Sequence, residues 1–264
     1  MAKSAPNSNL PLFYNAVEPL NVRDHGDKKV REALRMNNVG KTHAIPLTVD
    51  EFGLAQRHYP IVFSVGETSV PIALMGLNEG VNAFLFEDGR AREPNMYTPA
   101  YIRRYPFMLA KIRPDSDELS LCFDPTSDAI GDYPEGRPLF EDGKPSQAVE
   151  QILEFCEQFE AAGQRTGAFM DDLKAADLLM DGEVSIQPDG FAQPFVYRGF
   201  RMVDEEKLRG LRGDELRKMN QSGMLPLIYA HLFSLSQMRD VFSRQLAQGT
   251  APVQVQQTPA PADA

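Results

Sequence analysis

One local pattern occurs twice in this chain, and it limits the possible folds more than any other feature of the sequence. The first copy occupies residues 48–63 and the second residues 98–109, and each begins with a threonine and reaches Arg-x-Tyr-Pro. A residue before proline is driven out of the α region, so Tyr59 and Tyr105 mark the end of a helical turn. The apolar residues after each proline are typical of a buried strand. Both copies therefore predict the same unit, which consists of a short helix, a Tyr-Pro corner and a strand.

The start of each predicted helix carries its own capping signal. Thr48 is followed three residues later by Glu51, which is the spacing of a capping box, where side chain and backbone satisfy each other's unpaired donors. In the second copy we expect Thr98 to cap the helix while Pro99 occupies the first helical position. Both signals predict short helices that begin directly after a threonine.

The order of these patterns along the chain predicts an α+β fold. Strand-like segments dominate residues 44–123, and further apolar runs follow each unit, so that neighbouring strands can pair locally. Residues 183–203 predict a hairpin, and helical periodicity dominates from residue 147 onward. We therefore expect an antiparallel or mixed sheet built from the two helix–Tyr-Pro–strand units and covered by the C-terminal helices.

Several later boundaries are predicted from individual residues. The apolar spacing over residues 147–162 indicates a helix that Gly163 ends, and a second helix follows as far as Leu179. Residues 124–145 contain too many prolines and glycines for regular structure, so we interpret them as a long loop. Asp204 is expected to cap a short charged helix that ends at Leu211, and a single long helix is expected over residues 225–246.

We expect a single α+β domain over residues 10–246, between two flexible ends. Residues 1–9 are polar, and residues 247–264 hold too little apolar bulk to offset the entropy of ordering. With 264 residues, of which 42% are hydrophobic, the chain is long enough to bury a sizeable core.

The charge and the cysteines limit the class of protein. The net charge is −10, whereas nonspecific binding to nucleic acid needs a basic surface that displaces phosphate counterions, so nucleic acid is not an expected partner. No segment approaches the ~18 apolar residues of a membrane span, and the N-terminal residues lack the apolar core of a signal peptide. Cys122 and Cys156 lie in apolar contexts and are expected to be buried free thiols. We therefore expect a soluble, cytoplasmic protein.

The common local signatures of enzymes are absent from the sequence. It contains no Walker A motif, no Gly-x-Gly-x-x-Gly, no Gly-x-Ser-x-Gly and no His-Glu-x-x-His. Nucleotide-binding, dinucleotide-binding, serine-hydrolase and zinc-protease functions therefore lack the residues on which they usually depend. The motifs indicate no particular reaction.

The two Tyr-Pro corners contain the densest group of basic and titratable side chains in the chain. If the units pack with approximate symmetry, the corners converge on a cationic site with aromatic edges, which suits a carboxylate or phosphate bound by bidentate arginine. The alternative is structural, because arginines at helix C-termini also pair with acidic side chains and with the helix dipole. The candidate ligand-binding residues are Arg57, His58, Tyr59, Arg103, Arg104 and Tyr105.

A metal site is the second candidate. His25 and Asp27 have the His-x-Asp spacing of two ligands in a non-haem iron facial triad, and His43, His58 or His231 would supply the third. Such a triad normally lies on a jelly roll with several strands before the first histidine, whereas only 24 residues precede His25. The structural alternatives are a solvated turn at His25 and a half-buried, backbone-bonded histidine at His231.

Several segments, taken in order, resemble the SapC family of bacterial proteins over about residues 10–244. The matching segments are Ile45-Pro-Leu with Glu51-Phe52, His58-Tyr-Pro-Ile-Val-Phe63, Ala73-Leu-Met-Gly-Leu77, Arg103-Arg-Tyr-Pro-Phe107, Val203-Asp-Glu-Glu-Lys-Leu208 and Leu227-Ile-Tyr-Ala-His-Leu-Phe-Ser-Leu235. An unrelated peptide-transporter permease shares the family name, but a permease needs membrane helices that this sequence lacks.

The resemblance implies a domain of poorly defined activity, first linked to surface-layer protein loci. In many proteobacteria, relatives of this family are neighbours of TonB-dependent outer-membrane receptors, flavin-dependent halogenase-like enzymes and cupin-like hydroxylases. The resemblance implies no catalytic residues. The favoured hypothesis is a soluble binding or accessory protein that works with receptor-linked uptake or with modification of a peptide or small molecule. Its expected partners are an acidic small molecule or peptide and a further protein. The alternative is an oxygenase or hydroxylase with iron at His25 and Asp27.

Overall fold

The computed structural model describes residues 10–33, 36, 38–113, 115, 117–187 and 193–251. In chain order the strands are β1 (Glu18–Pro19), β2 (Lys29–Val30), β3 (Ala44–Pro46), β4 (Ile61–Phe63), β5 (Pro71–Leu74), β6 (Phe107–Lys111), β7 (Leu119–Phe123), β8 (Ile130–Gly131), β9 (Arg137–Pro138), β10 (Phe140–Glu141), β11 (Lys144–Pro145), β12 (Leu179–Asp181), β13 (Val184–Ile186), β14 (Phe195–Tyr197) and β15 (Arg201–Val203). The α-helices are α1 (Val22–His25), α2 (Phe52–Ala55), α3 (Ala100–Arg103), α4 (Gln147–Ala175), α5 (Glu205–Gly210), α6 (Gly213–Gln221), α7 (Met224–Ser234) and α8 (Met238–Ala247). The combination of helices with antiparallel sheets confirms the predicted α+β class.

The largest sheet has five strands in the order β12-β15-β4-β5-β3, and all of its pairs are antiparallel. The strand of the first repeated unit, β4, lies at its centre, and Ile61, Val62 and Phe63 are fully buried there. Ile61 pairs with Ala73 of β5, while Phe63 pairs with Arg201 of β15. Strand β4 therefore has a partner strand on each of its edges.

The strand of the second unit lies in a different sheet. Strand β6 belongs to a three-stranded sheet of order β1-β7-β6, in which Phe107 pairs with Phe123. The predicted antiparallel pairing is present, but the two units do not share one sheet. Strands β15 and β5 occupy both edges of β4, and β6 pairs with β7 instead. The predicted hairpin is confirmed as β13–β14, and the flanking strands β12 and β15 extend the large sheet.

Helix α4 is longer than the sequence pattern indicated. The prediction that Gly163 ends it is wrong, because α4 has 29 residues and continues to Ala175, two residues before Asp177, whose φ of 51° is left-handed. Buried side chains such as Phe169 and Leu173 continue the apolar stripe beyond the glycine. Their burial outweighs the cost of about 1 kcal/mol for glycine within a helix. The residues predicted to end a second helix form β12 instead.

The other predicted boundaries are met in part. Asp204 caps α5, since its carboxylate accepts hydrogen bonds from the backbone N–H groups of Glu206 and Lys207. The long helix expected over residues 225–246 is divided into α7 and α8 by a 3-10 turn at Leu235–Gln237. Residues 124–145 are mostly irregular, as predicted, but they also contain the two-residue strands β8 to β11. Together with β2, strands β8 and β9 form a small three-stranded sheet.

Two groups of buried apolar side chains form the core. The larger group packs the five-stranded sheet against helices and includes Phe52 and Phe63, while the smaller packs β6 and β7 against α4 and includes Phe107 and Cys156. Cys122 and Cys156 are buried and unpaired, as predicted. Of the predicted flexible ends, residues 1–9 and 252–264 lie outside the described residues. Within the predicted tail over residues 247–264, Ala247 is the last residue of α8 and Gln248 donates to the carbonyl of Ala83. None of the helices in the described part of the chain combines the length and the apolar composition that a membrane crossing requires.

Candidate anion-binding cavity

A buried carboxylate joins the two repeated units and positions the second corner. Glu51 is 5% exposed and accepts hydrogen bonds through both oxygens. Its Oε2 lies 2.9 Å from the backbone nitrogen and 2.9 Å from the Oγ1 of Thr48, as the capping box predicted. Its Oε1 lies 2.9 Å from the hydroxyl of Tyr97 and 2.6 Å from the backbone nitrogen of Ala100. One side chain therefore serves the first turn of both short helices.

The cap that we predicted for the second helix is wrong. Helix α3 begins at Ala100, Pro99 occupies the capping position, and no side chain of that residue caps the helix. Glu51 takes the role that we assigned to Thr98, because it accepts the first free N–H group of α3. The backbone of Thr98 has another partner, since its carbonyl accepts a hydrogen bond of 3.0 Å from Nε of Arg103.

Arg103 ends helix α3 and is held by neutral groups. Besides the carbonyl of Thr98, its Nη2 donates to the hydroxyl of Tyr97 at 3.5 Å. Its guanidinium carbon lies 5.1 Å from the ring centroid of Phe155 on α4, a favourable cation–π distance. Among the described residues, Arg103 forms no ion pair. Its positive charge is therefore positioned by neutral contacts but not neutralised by an acidic side chain.

Arg104 is buried, unlike its neighbour. It is 7% exposed, and its guanidinium carbon lies 4.6 Å from the ring centroid of Tyr101 and 4.4 Å from that of Phe159. Its Nη1 lies 3.6 Å from Oε1 of Glu160, which is beyond hydrogen-bonding distance. Its buried Nε has no hydrogen-bond partner among the described residues. A charged donor is thus held inside the protein with one N–H group unsatisfied.

Both arginines line a cavity of about 270 Å³ between α3, β6, β9 and α4. Its wall consists of Arg103, Arg104, Phe107, Arg137, Gln151, Ile152, Phe155 and Cys156. Half of these side chains are apolar or weakly polar, three are arginines, and none is an aspartate or glutamate. Nη1 of Arg137 donates to Oε1 of Gln151 at 3.0 Å, so this arginine is also bonded to a neutral group. The cavity therefore combines an apolar wall with an excess of positive charge.

The first corner does not line this cavity. Arg57 is exposed and has no ion-pair partner in the described part of the chain, and His58 is half-buried beside Tyr59, with ring centroids 5.9 Å apart. Tyr59 is buried, and its hydroxyl donates to the backbone carbonyl of Tyr97 at 2.6 Å. Burial raises the pKa of the Tyr59 hydroxyl well above its usual value. The two corners therefore do not converge on this cavity, because their strands lie in different sheets.

Tyr105, the tyrosine of the second corner, does not line the cavity. Its hydroxyl donates to Oδ2 of Asp124 at 3.4 Å, and its ring lies 5.2 Å from that of Tyr14 in an edge-to-face contact. Burial, together with the Asp124 carboxylate, raises the pKa of Tyr105 to about 12. Tyr105 is therefore a neutral structural side chain at ordinary pH.

The sequence pattern did not identify the five of the eight wall residues that later segments contribute. Arg137 lies in the proline-rich stretch over residues 124–145, and Gln151 and Phe155 lie four residues apart on one face of α4. Ile152 and Cys156 follow the apolar spacing that predicted this helix, but that spacing indicated only that they were core residues. Burial raises the pKa of Cys156 to about 11, although nearby Arg104 opposes this shift. The thiol in the cavity is therefore protonated at neutral pH.

The residues of the metal hypothesis lie elsewhere. His25 is buried, its Nε2 lies 3.2 Å from Oε1 of Glu18, and its Nδ1 lies 3.1 Å from the backbone of Asn21. Asp27 is exposed. Within the described residues, no group of three or more His, Cys, Asp and Glu side chains is arranged to hold a metal ion. His25 and Asp27 thus have no third ligand in that part of the chain.

Besides His58 at the first corner, His43 and His231 are the histidines that the metal hypothesis named as a third ligand. His43 is half-buried, and burial lowers its pKa. His231 is fully buried and is bonded to backbone on both sides, since Nδ1 donates to the carbonyl of Ile61 at 2.7 Å and Nε2 accepts from the N–H of Val203 at 3.1 Å. Burial lowers the pKa of His231 to about 4. Both ring nitrogens of His231 therefore bond to the backbone. The side chain is fully buried rather than half-buried, which is the position that the structural alternative gave it.

Comparison with known proteins gives a family but no close relative of known structure. The sequence model of the family described as SapC matches residues 20–241, which is most of the chain. Searches of curated proteins and of solved structures found no match. The matched range includes both repeated units, helix α4 and every residue that lines the cavity. The chain therefore belongs to the SapC family.

Proposed function

We propose that this SapC-family protein is a cytoplasmic binding protein that holds an anionic ligand in the arginine-lined cavity. The observation that carries the proposal is Arg104, which is 7% exposed while its buried Nε has no hydrogen-bond partner among the described residues. Arginine is not deprotonated in proteins, so this side chain cannot avoid the cost of burial by losing its charge. A bound anion at the cavity wall would add negative charge beside this guanidinium, whose only acidic partner among the described residues is Glu160 at 3.6 Å.

The local charges support an anion rather than a neutral ligand. The chain has a net charge of −10, yet the cavity wall contains three arginines and no acidic side chain. Arg103 and Arg137 are bonded to neutral groups, and the Glu160 carboxylate lies 3.6 Å from Arg104, too far for a charge-assisted hydrogen bond. Positive charge therefore accumulates at one place on an acidic protein.

Binding fits the cavity better than catalysis does. The wall contains no histidine, serine, aspartate or glutamate that would act as a general acid, a general base or an activated nucleophile. The single thiol belongs to Cys156, whose pKa is raised to about 11, so that it is not a thiolate nucleophile at neutral pH. We accordingly propose an accessory role, in which the protein binds a small molecule or peptide for receptor-linked uptake or for modification by another protein.

The proposal is tested by titration calorimetry of the full chain at low ionic strength with benzoate, acetate and inorganic phosphate. We expect at least one anion to bind with a Kd of ~1 mM or tighter. Arg103→Gln should weaken that binding about tenfold or more, because a charge-assisted hydrogen bond is lost.

Arg57→Gln is the matched control, since Arg57 is an exposed arginine at the equivalent corner but does not line the cavity. It should leave the affinity unchanged. The proposal is refuted if none of the three anions binds, or if the two variants weaken binding equally.

A further inference from the structure

We infer that the ligand of this cavity is a carboxylate carried by one ring-sized apolar group, either as a free organic acid or as the C-terminal residue of a peptide. The inference rests on the proposed function and adds the chemical class of the ligand. Three properties of the cavity carry it: its apolar wall, its volume and the arrangement of its arginines.

The apolar wall is a continuous part of the protein core. Phe107 and Cys156 belong to the smaller buried cluster, and Ile152 packs against it from α4. Phe155 adds an aromatic ring, and Arg103 lies 5.1 Å from the centroid of that ring. An inorganic anion would leave this surface in contact with water. An apolar group attached to the anion would cover it, which is favourable in proportion to the area removed from water.

The volume restricts the size of that group. An apolar cavity of about 150 Å³ accepts benzene, and pockets for drug-sized ligands begin near 300 Å³. The cavity of about 270 Å³ lies between these values. It therefore has room for one aromatic or branched aliphatic group together with a carboxylate, but it is too small to enclose a whole nucleotide or a long peptide.

The arginines determine the charged end. Arg104 is the buried one, whereas Arg103 and Arg137 are exposed, so the wall is most enclosed at Arg104. Arg104 contributes its guanidinium to this wall, and arginine binds a carboxylate through two parallel hydrogen bonds. The Glu160 carboxylate already offsets part of the Arg104 charge from 3.6 Å. Because Arg103 and Arg137 are exposed to solvent, the enclosed end at Arg104 suits a carboxylate with one negative charge better than a doubly charged phosphate.

The test compares six probes on the full chain by titration calorimetry. Benzoate carries both features, benzyl alcohol has the ring without the charge, and acetate and inorganic phosphate have the charge without the ring. The tripeptide Gly-Gly-Phe and its C-terminal amide distinguish a peptide terminus from a free acid. We expect benzoate or the free-carboxylate peptide to bind at least about tenfold more tightly than acetate, phosphate and benzyl alcohol.

A pair of isomeric substitutions on α4 tests the apolar wall. Ile152→Ala should weaken benzoate binding about tenfold, since Ile152 lines the cavity. Leu153→Ala removes the same number of atoms from the neighbouring position, which packs on the same cluster without lining the cavity, and should leave the affinity within about twofold. Circular dichroism shows whether each variant is folded, and the probe series on the unchanged protein decides the matter if one is not.

The outcomes distinguish the inference about the ligand from the proposed anion-binding function on which it rests. Equal or tighter binding of acetate or phosphate overturns the inference but leaves the anion-binding function intact. Equal binding of benzyl alcohol and benzoate, or binding of no anion at all, overturns both. If the inference holds, tighter binding of the peptide than of benzoate identifies a peptide C-terminus as the source, and the reverse order identifies a free acid.

Discussion

His231 should make the stability of this protein depend on pH between neutrality and pH 4. The side chain is fully buried where α7 meets the five-stranded sheet, and it links two strands by donating from Nδ1 to Ile61 and accepting at Nε2 from Val203. The ring also lies 4.7 Å from that of Phe63. This arrangement requires the neutral imidazole, because a second proton on Nε2 would face the N–H group of Val203.

The size and sign of the effect follow from the pKa of His231. Burial lowers this pKa from 6.5 to about 4, and the hydrogen bond to Ile61 opposes the shift only in part. Below pH 6.5 the unfolded chain binds a proton that the folded chain does not, so the free energy of unfolding falls as the pH falls, until the folded state also binds the proton near pH 4. A difference of about 2.5 pH units, at 1.36 kcal/mol per unit, corresponds to about 3 kcal/mol.

The measurement is urea unfolding, followed by circular dichroism at several pH values from 7 down to 4.5, for the unchanged protein and for His231→Gln. His43 and the acidic side chains titrate in both proteins, so the difference between the two slopes isolates His231. Ser234→Ala is the matched control, because the Ser234 hydroxyl accepts from the Ile61 N–H and donates to the His231 carbonyl but does not titrate. It should lower stability at every pH and keep the slope. Identical slopes for the unchanged protein and His231→Gln would show that the reasoning is wrong.

Three further predictions concern the two units and helix α4. Glu51→Gln should lower the free energy of unfolding by at least about 2 kcal/mol in chemical denaturation. The glutamine NH2 group would face the backbone N–H of Thr48 or of Ala100, which are donors themselves. Gly163→Ala and Gly167→Ala should each raise it by about 0.5–1 kcal/mol, because both lie within α4 with open space at the Cβ position, and a decrease would contradict this account. Tyr97→Phe should weaken benzoate binding severalfold in calorimetry by releasing Arg103, with unchanged affinity as the contrary result.

The parts of the fold that sequence predicted correctly depend on residues close together in the chain. The capping box of Thr48 and Glu51 spans three positions, the Asp204 cap reaches Glu206 and Lys207, and the hairpin β13–β14 pairs segments that are neighbours in sequence. Such features are determined by local sterics and local hydrogen bonds. A reader of the sequence can therefore recognise them without knowing the tertiary structure.

The parts that were predicted wrongly depend on distant partners. The N–H of Ala100 is taken by Glu51, 49 residues earlier, rather than by the adjacent threonine. Gly163 remains helical because the surroundings bury Phe169 and Leu173, which the local preference of glycine does not reveal. In the same way, the repeat draws attention to Arg103 and Arg104, but only the tertiary structure brings Arg137 from the proline-rich stretch to the same cavity.

The hydrogen bonds of Glu51 also determine which groups donate and which accept between the buried Glu51 and Arg103 at the cavity. Glu51 accepts from Thr48, Tyr97 and Ala100, so the hydroxyl of Tyr97 must use its single proton toward Glu51. The lone pairs of that hydroxyl are then free to accept from Arg103, whose Nη2 lies 3.5 Å away. The order of donors is therefore fixed from guanidinium to phenol to carboxylate. Glu51, the acceptor at the end of this series of hydrogen bonds, is buried in the first repeated unit. The first unit therefore orients Arg103 at the cavity, although it contributes no residue to the cavity wall.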